Sequence, residues 1–246
     1  MTKILGRALG ILVAYSLPVH AGTIGIDFGC EAEPNDVCIL GGAPLQEGFF
    51  AWTGPETGDG ISYDETRTFD ADFAADGWLD VNVSSEGLFF RDYPSVTGSF
   101  ASQSNLLSDS ILINAPGSIA ISFSGLAAGR YQITTYHHDT LFGDTFIPFD
   151  ISVADATGTN TVASGLDTSG TTSPTSITTA MFSFTAGLDG LATIEFASNA
   201  AALAQHMSIN GFQLTGAAVS VPEPGTLALF GIGLFGMGLA GRKRKA

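Results

Sequence analysis

Apolar and polar residues alternate one by one along most of the chain between residues 22 and 218, and no other feature restricts the fold as much. In Ser118–Ser124, three apolar residues fall on one side and serine or alanine on the other. Because successive side chains of a β-strand point to opposite faces, this period of two is typical of strands with one buried face. Similar runs occur at 79–83, 131–137, 149–154, 182–184 and 192–196.

Turn-forming residues separate about eight to ten such runs, and no long helical period precedes the C-terminal tail. The sequence therefore predicts an all-β fold, an antiparallel β-sandwich or jelly roll. The apolar phase changes between Ile209 and Phe212, which predicts a β-bulge at Gly211. Residues 155–179 are rich in Thr, Ser and Gly and are predicted to form a long hairpin loop and the start of a strand.

The last 26 residues combine three elements with separate physical roles. Pro222 and Pro224 lack a backbone N–H and resist helix formation, so they favour an extended segment. Leu227–Gly241 is uncharged, and a helix there would satisfy its own backbone hydrogen bonds in lipid. Four basic residues follow at 242–245 and would hold the end of the chain in the cytoplasm.

This tail, residues 219–246, resembles the PEP-CTERM sorting domain of exported bacterial proteins. Its parts are the VPEP box (Val221, Pro222, Glu223 and Pro224), a predicted transmembrane helix at 226–241 and a basic tail at 242–245. The resemblance implies recognition by an exosortase, a membrane transpeptidase that cleaves near the box, in bacteria that make exopolysaccharide. A plain membrane anchor and a buried core segment are the alternatives. Fifteen helical residues reach only ~22 Å against a hydrocarbon core of ~30 Å, which favours temporary holding.

The N-terminus, residues 1–21, is predicted to be a signal peptide. Two basic residues precede the apolar run Ala8–Val19, and cleavage is expected between Ala21 and Gly22. A retained N-terminal anchor is the alternative, although the run is short for a spanning helix. Together the two ends of the chain predict an exported protein, held in the inner membrane through its C-terminal helix for a time and then placed at the cell surface or in the extracellular matrix.

The remaining domain, residues 22–218, is strongly acidic. Two of the nine Lys and Arg residues lie in the signal peptide and four in the tail, which leaves Arg67, Arg91 and Arg130. Of the 24 acidic residues only Glu223 lies outside the domain, so the domain has a formal charge of −20. Nucleic-acid binding depends on Lys and Arg at phosphates, and this charge excludes it as a function.

Cys30 and Cys38 are the two cysteines of the chain. A pair this close in an exported protein is predicted to form a disulfide. The alternative, a metal site, would need further His or Cys ligands, and the seven residues between the two cysteines include neither.

A second resemblance concerns the domain itself. IGIDFG (24–29), GLFFRDY (87–93), ISFSGLAAGRYQITTYHHD (121–139) and INGFQL (209–214) follow one another in the order seen in galactose-binding-like and malectin-like sandwiches. The resemblance implies a β-sandwich of that type, and such folds often bind carbohydrate through loops at one end or along one sheet. Fold alone does not fix a ligand.

Two groups of polar residues are candidate metal ligands, although no metal site is assigned. His137, His138 and Asp139 end a predicted strand near Asp144, but adjacent strand residues point to opposite faces, so both histidines cannot easily reach one ion. Turn residues with ordinary hydrogen bonds are the alternative. Acidic residues dense enough for calcium, without EF-hand spacing, occur at Glu56, Asp59, Asp64, Glu65, Asp70, Asp72 and Asp76. A solvated acidic face is the alternative for this group, and no other cofactor is expected.

No catalytic residue is assigned, because the sequence lacks the nucleophile elbow, the zinc-protease helix motif and the phosphate loop. Paired acids for glycoside hydrolysis stay open, since their separation is a three-dimensional quantity. Arg91 is interpreted as a pairing partner of acidic groups rather than a ligand contact.

We expect a non-enzymatic surface or matrix protein whose sandwich binds carbohydrate within exopolysaccharide. A purely structural surface protein and a glycan-active enzyme are the alternatives. Exposed aromatic rings at Trp52, Trp78 or Tyr136 would favour glycan binding, because sugars stack on flat rings, whereas two carboxylates at hydrolase spacing in a cleft would favour the enzyme.

Overall fold

The computed structural model describes residues 21–30, 45–54, 60–92, 95–140, 146–198 and 206–217. Apart from a 3-10 turn at Gly98–Gln103 and a single helical turn, α1 (Ser104–Leu107), the regular elements of these residues are β-strands. In chain order they are β1 (Ala21–Cys30), β2 (Phe50–Gly54), β3 (Ile61–Asp70), β4 (Trp78–Asp92), β5 (Asp109–Asn114), β6 (Gly117–Ser124), β7 (Gly129–Asp139), β8 (Phe149–Asp155), β9 (Gly158–Leu166), β10 (Ser169–Gly170), β11 (Thr178–Ala186), β12 (Ala192–Ser198), β13 (His206–Ile209) and β14 (Gly211–Ala217).

The strands form two sheets that pack as a sandwich. Sheet A has the order β10-β7-β14-β1-β2, with β11 also paired to β7. Sheet B has the order β13-β5-β4-β6-β12-β8-β9, with β3 also paired to β4. Neighbouring strands are antiparallel except for β1 with β2 and β10 with β7. The predicted all-β sandwich is confirmed, and each of the six alternating runs lies within a strand.

Residue contacts divide the chain into two units. The sandwich belongs to the unit Ala21–Val219, whereas the other unit, Met1–His20 with Ser220–Ala246, lies outside the described residues. The predicted boundaries at 21/22 and 218/219 stay predictions. So does the transmembrane helix at 226–241: in the part of the chain that the structure describes, no helix is long and apolar enough to cross a membrane.

The two ends of the sandwich differ in their connections. The tail end is the one where β1 begins and β14 ends, with Ala21 paired to Ala217. Short turns between strands lie at this same end, at 71–77, 125–128, 156–157 and 187–191. The far end lies opposite and carries longer connections, including 95–108 and 167–177.

Aromatic rings form a continuous path through the core. Neighbouring rings along this path have centroids 5.4–6.1 Å apart, within the range of favourable edge and offset contacts. The path runs Trp52, Phe28, Phe212, Phe123, Phe184, Tyr131 and Phe73. Since Phe123 belongs to sheet B and its neighbours Phe212 and Phe184 to sheet A, the path joins the two sheets.

The predicted β-bulge at Gly211 is wrong. Strand β13 pairs with β5 in sheet B, whereas β14 pairs with β1 and β7 in sheet A, so the chain crosses between the sheets at Asn210. The two sheets face each other across the core, so the core lies on one side of the chain in β13 and on the other side in β14. The apolar residues therefore change phase at the crossing.

The prediction of a long hairpin loop in residues 155–179 is also wrong, whereas the predicted start of a strand is confirmed by β11, which begins at Thr178. This segment contains β9, which forms a hairpin with β8, and the short strand β10. The hairpin turn is tight, because the Asp155 carboxylate accepts hydrogen bonds from the backbone N–H (2.8 Å) and hydroxyl of Thr157, and Gly158 has a φ of +114°. Strand β9 lies at the edge of sheet B with almost every side chain exposed, so it shows no apolar alternation.

Candidate functional site

A groove opens on the outer face of sheet B where β4 changes its neighbour. Ser85 of β4 pairs with Ile119 of β6, and Leu88 of β4 pairs with Ile113 of β5. A step of three residues along β4 therefore corresponds to a step of six along the neighbouring segment. Leu88 also pairs with Ile61 of β3, so β5 lies on the edge of β4 opposite β3, which is the edge that β6 occupies further along β4. Residues 114–117 between β5 and β6 do not pair with β4.

The opposite edge of β4 is irregular at the same level. Ile61 of β3 pairs with Leu88, but Ser62 pairs with Glu86, so Gly87 is an extra residue. Gly87 has a φ of +98°, a left-handed conformation that favours glycine. A Cβ on the facing Gly60 would lie 2.5 Å from the Gly87 carbonyl oxygen, so this close approach requires glycine at position 60.

The groove has a volume of about 460 Å³ and adjoins a hollow of about 190 Å³. This size falls within the ~300–1,000 Å³ typical of small-molecule sites. The groove is lined by Ser62, Tyr63, Ser84, Ser85, Glu86, Pro116, Gly117, Ser118 and Ala120, and the hollow by Gly60, Glu86, Gly87, Phe89, Ile113 and Asn114. Glu86 lines both and is the one carboxylate among these described lining residues, so the groove is a neutral to acidic, hydroxyl-rich surface.

Several polar side chains elsewhere on the outer faces are bonded to one another across the strands. On sheet B the pairs are Thr68 with Asp80 (2.6 Å), Asn82 with Asp64 (2.7 Å) and Ser122 with Thr193 (2.9 Å), and on sheet A Thr23 with Thr215 (3.0 Å). In the groove, Ser85 Oγ donates to the Ser118 carbonyl oxygen (2.8 Å). Within the described residues, the hydroxyls of Ser62, Ser84 and Ser118 and the Glu86 carboxylate have no such partner. The groove therefore gathers several unused hydrogen-bonding groups in one concave place, next to a surface on which a number of polar side chains are bonded to one another.

The three aromatic residues singled out from the sequence have different environments. Trp52 is fully buried, Trp78 is 54 % exposed at the tail end, and Tyr136 is half-buried with its hydroxyl donating to Gln213 Oε1 (3.2 Å). None of the three lines the groove. These three rings therefore do not provide a surface in the groove on which a sugar could stack.

Trp52 belongs to a network that joins the edges of the two sheets. Its indole N–H donates to the Tyr63 hydroxyl (3.0 Å), and Tyr63 donates to Glu65 Oε2 (2.5 Å). Burial, together with the hydrogen bond to Glu65, raises the pKa of Tyr63 to about 12. The Arg67 guanidinium lies 4.8 Å above the Trp52 ring and donates to the carbonyl oxygen of Thr53 (2.8 Å), so this arginine of β3 caps the edge strand β2. Its role is structural, and the sequence analysis did not identify it.

The two adjacent histidines lie at the far end of β7 and point to opposite sides, as expected from their spacing. His137 packs against Phe149 in the core (4.8 Å between ring centroids), and its Nδ1 bonds to the Ser208 carbonyl oxygen (2.9 Å). His138 Nε2 bonds to the carbonyl oxygen of Thr171 (2.9 Å) on the other side. Burial lowers the pKa of His137 to about 4, so this ring is neutral at pH 7.

Both histidines are thus held by internal hydrogen bonds, and no group of His, Cys, Asp or Glu among the described residues could hold a metal ion. Asp139 pairs with His206 (3.2 Å) in the buried interior, whereas Asp144 lies outside the described residues.

The acidic residues considered for calcium are spread along β3 and the turn that follows it. Asp64 bonds to Asn82, Glu65 to Arg67, and Asp76 caps its own turn by accepting from the Trp78 N–H (3.3 Å). Glu56 and Asp59, by contrast, lie outside the described residues. Arg91 is half-buried, with its guanidinium 5.4 Å from the centroid of the Phe89 ring.

Asp27 is a buried acid that the sequence analysis did not single out. It is 3 % exposed on the outer side of β1, beneath the segment that contains Gln46. Oδ2 accepts from the Gln46 N–H (2.9 Å), and Oδ1 has no hydrogen-bond partner among the described residues. Burial raises the pKa of Asp27 to about 7, so the folded protein holds a proton there that a solvated aspartate would release. The sequence offered one signal for this residue. Asp27 is an acid within an apolar strand, between the core residues Ile26 and Phe28, and its side chain points to the other side of β1.

The remaining predicted residues are only partly described. Strand β1 begins at Ala21 and includes Gly22, so the predicted cleavage site coincides with its first residues. Cys30 ends β1, and neither its side chain nor Cys38 is described, so the disulfide stays a prediction. The VPEP box at Val221–Pro224 also lies outside the described residues.

Residues 220–245 match the family model described as the PEP-CTERM protein-sorting motif. The chain carries this sorting signal, as the sequence predicted, and the signal implies an exported protein processed by an exosortase. No curated protein matches the sequence.

Several solved structures are similar to the sandwich at low identity. A β-glucuronidase of Bacteroides uniformis is 15 % identical over 78 % of this chain, with a TM-score of 0.44, and the plant receptor-like kinase FER is 13 % identical over 82 %, with a TM-score of 0.42. A family 35 carbohydrate-binding module of Clostridium thermocellum is 16 % identical over 61 % of this chain and 97 % of its own, with a TM-score of 0.32. The chain spans 18 % of the glucuronidase and 42 % of the kinase.

Proposed function

We propose that the protein is an exported cell-surface or extracellular-matrix protein whose non-catalytic sandwich binds carbohydrate, in the form of exopolysaccharide, in the groove along β4. The observation that carries the proposal is the groove of about 460 Å³ in which the hydroxyls of Ser62, Ser84 and Ser118 and the Glu86 carboxylate, unpaired within the described residues, lie together. Sugar hydroxyls both donate and accept hydrogen bonds, so they pair well with serine hydroxyls and a carboxylate. The sorting signal supports the location, because it implies export.

The single carboxylate in the groove lining supports binding rather than hydrolysis. Glycosidases of the usual type place two acids about 5–10 Å apart across the bond that they cleave. Glu86 alone supplies a hydrogen-bond acceptor that orients a sugar.

Substitution of one serine in the groove tests the binding site, with a matched serine of the same strand as control. Ser118→Leu places a bulky apolar group in the groove, and we expect binding on a glycan array to weaken by tenfold or more, which is about 1.4 kcal/mol. Ser122→Leu changes the same face of β6 outside the groove and is expected to leave binding unchanged. Equal effects of the two substitutions would contradict the assignment of the site.

A purely structural surface protein is the second candidate, and a specific observation favours it. Hydroxyls on the outer faces of both sheets bond to each other in the pairs Thr23 with Thr215 and Ser122 with Thr193, and hydroxyls paired in this way are not available to a ligand. Folded protein that binds no glycan, with calcium or with chelator, would favour this candidate and exclude the first.

The sorting step has its own test in the native host. Glu223→Ala is expected to prevent processing, so that the protein keeps its full size and stays with the membrane fraction. A variant of wild-type size and location would contradict the proposed role of the VPEP box.

A further inference from the structure

Three large apolar side chains are exposed together at the tail end. Leu188 is fully exposed, Trp78 is 54 % exposed and Leu191 is 52 % exposed. The other exposed large apolar residues among those described lie elsewhere on the sandwich: Leu45, Phe50, Val162 and Met181. Single exposed apolar residues are ordinary, but three at one end of the sandwich make that end a candidate contact surface.

Backbone contacts hold this group in one place. Leu126 N–H donates to the carbonyl oxygen of Gly190 (3.2 Å), which fixes the turn of Leu188 and Leu191 to the end of β6. Trp78 begins β4 on the other side of that end, and β4 and β12 flank β6, so these two strands lie two strand spacings, or ~10 Å, apart. The buried residues Leu79 and Ala192 follow Trp78 and Leu191 directly, so Trp78 and Leu191 point away from the core.

The charges at the tail end limit what can cover this surface. Asp76 and Asp189 accept hydrogen bonds from the backbone N–H groups of Trp78 and Leu191 (both 3.3 Å), so their carboxylates lie beside the apolar side chains. Arg130 is the one arginine or lysine at this end among the described residues. A strongly anionic surface would be repelled, whereas an interface with little net charge would accept tryptophan and leucine.

The chain itself leads from this end toward an apolar segment. Strand β14 ends at Ala217, at the tail end, and the uncharged run begins ten residues later at Leu227. Ten residues span at most ~35 Å, so a membrane that holds this run lies within reach of the tail end.

We infer that the tail end rests on the bilayer that holds residues 226–241, with Trp78, Leu188 and Leu191 in the interfacial layer of a membrane surface rich in zwitterionic lipid. This inference rests on the part of the proposed function in which the sorting tail holds the protein in the membrane before processing. It is independent of carbohydrate binding. The contact would hold the tail end of the sandwich next to the membrane before processing.

The two tryptophans of the chain make the inference testable with the full-length protein in nanodiscs of phosphatidylcholine. Lipids brominated near the headgroup quench indoles that lie in the interface, within ~10 Å of the acyl boundary. Trp78 is expected to be quenched, whereas the fully buried Trp52 is an internal control whose emission should remain. Trp78→Phe should abolish the quenching.

A second reporter makes the result independent of Trp78. In the Trp78→Phe background, Leu188→Trp is expected to restore quenching, whereas Met181→Trp, at an exposed position in the middle of β11, is not. Raising the fraction of phosphatidylglycerol should weaken the quenching.

Unquenched Trp78 in protein that co-elutes with nanodiscs would overturn the inference and leave the membrane anchor of the proposed function intact. A blue-shifted but unquenched Trp78 would indicate burial against a second copy or another protein and would also overturn it. Failure of the full chain to co-elute with nanodiscs would contradict both the inference and the anchor.

Discussion

The tail end and the far end of the sandwich are stabilised in different ways. At the tail end the turns are short, and the Phe73 and Tyr131 rings pack directly on Gly216, where no side chain intervenes. The half toward the far end instead contains the buried polar residues, among them Asn210, His137 and Asp27. The tail end therefore depends on the fit of apolar shapes, whereas the far end depends on hydrogen bonds and on which groups carry protons.

The largest expected effect comes from the polar crossing at the far end. Asn210 is fully buried; its Oδ1 accepts from the His138 N–H (2.6 Å), and its Nδ2 donates to the carbonyl oxygens of Asp109 (2.6 Å) and Leu107 (3.3 Å). Asn210→Leu leaves these backbone groups buried and unpaired, at ~1–3 kcal/mol each, so we expect a loss of about 3–5 kcal/mol in the free energy of unfolding.

Urea denaturation measures this loss, and Asn82→Leu is the matched control. Asn82 also bonds to two side chains, Asp64 and Thr66, but on the exposed face of sheet B. Its substitution should cost less than about 0.5 kcal/mol. Equal costs for the two variants would show that burial of Asn210 is not what makes it essential.

The second effect concerns pH, and two groups in the far half oppose each other. Asp27 has a pKa of about 7 in the folded protein against an ordinary 3.8, so it favours the folded state at low pH, and this contribution is lost as pH rises from about 4 to 7. His137 has a pKa of about 4 against an ordinary 6.5, so its contribution is present above pH 6.5 and is lost as pH falls toward 4. The two slopes should nearly cancel between pH 4.5 and 6.5.

When either group is removed, the pH dependence of the free energy of unfolding should be that of the remaining group. The free energy of unfolding of Asp27→Asn is expected to rise by about 2–3 kcal/mol from pH 4.5 to 6.5, and that of His137→Gln to fall by a similar amount. Burial also lowers the pKa of His138, which adds to the rising slope. Parallel pH profiles for wild type and both variants would contradict the opposing roles of the two groups.

These differences explain which parts of the structure were predictable from sequence. The alternating runs identified the strands and the sandwich, because burial of one face leaves a period of two in the sequence. The crossing at Asn210 was misread as a bulge, since both events reverse the phase and only pairing partners distinguish them. Strand β9 was missed because an exposed edge strand has no buried face.

The groove was not predictable for a related reason. It arises where β4 exchanges β6 for β5, and its serines come from separate strands. Serine also occurs all over both outer faces, so composition does not mark the position. Pro116-Gly117 and Gly87 were the available signals, as interruptions of the alternation, but such interruptions are equally typical of ordinary turns.

A smaller effect tests the shape dependence of the tail end. A Cβ on Gly216 would collide with the Tyr131 ring and would lie 2.9 Å from the Phe73 ring. Gly216→Ala is expected to lower the free energy of unfolding by about 1–3 kcal/mol through overpacking. Gly129→Ala, at the same end with open space around its Cβ position, should change it by less than about 0.5 kcal/mol. Similar values for both would mean that the rings move away without cost.

The smallest effect separates the apolar side chains that fold the tail end from those that lie on its surface. Leu188 is fully exposed and packs on nothing in the sandwich, so Leu188→Ser should change the free energy of unfolding by less than about 0.5 kcal/mol, as should Met181→Ser on the outer face of sheet A. Urea denaturation with the tryptophan signal measures both. A loss above 1 kcal/mol for Leu188→Ser alone would place this leucine in the folded core of the tail end. An unchanged stability leaves its apolar surface available for contact outside the domain, because burial within the domain does not account for it.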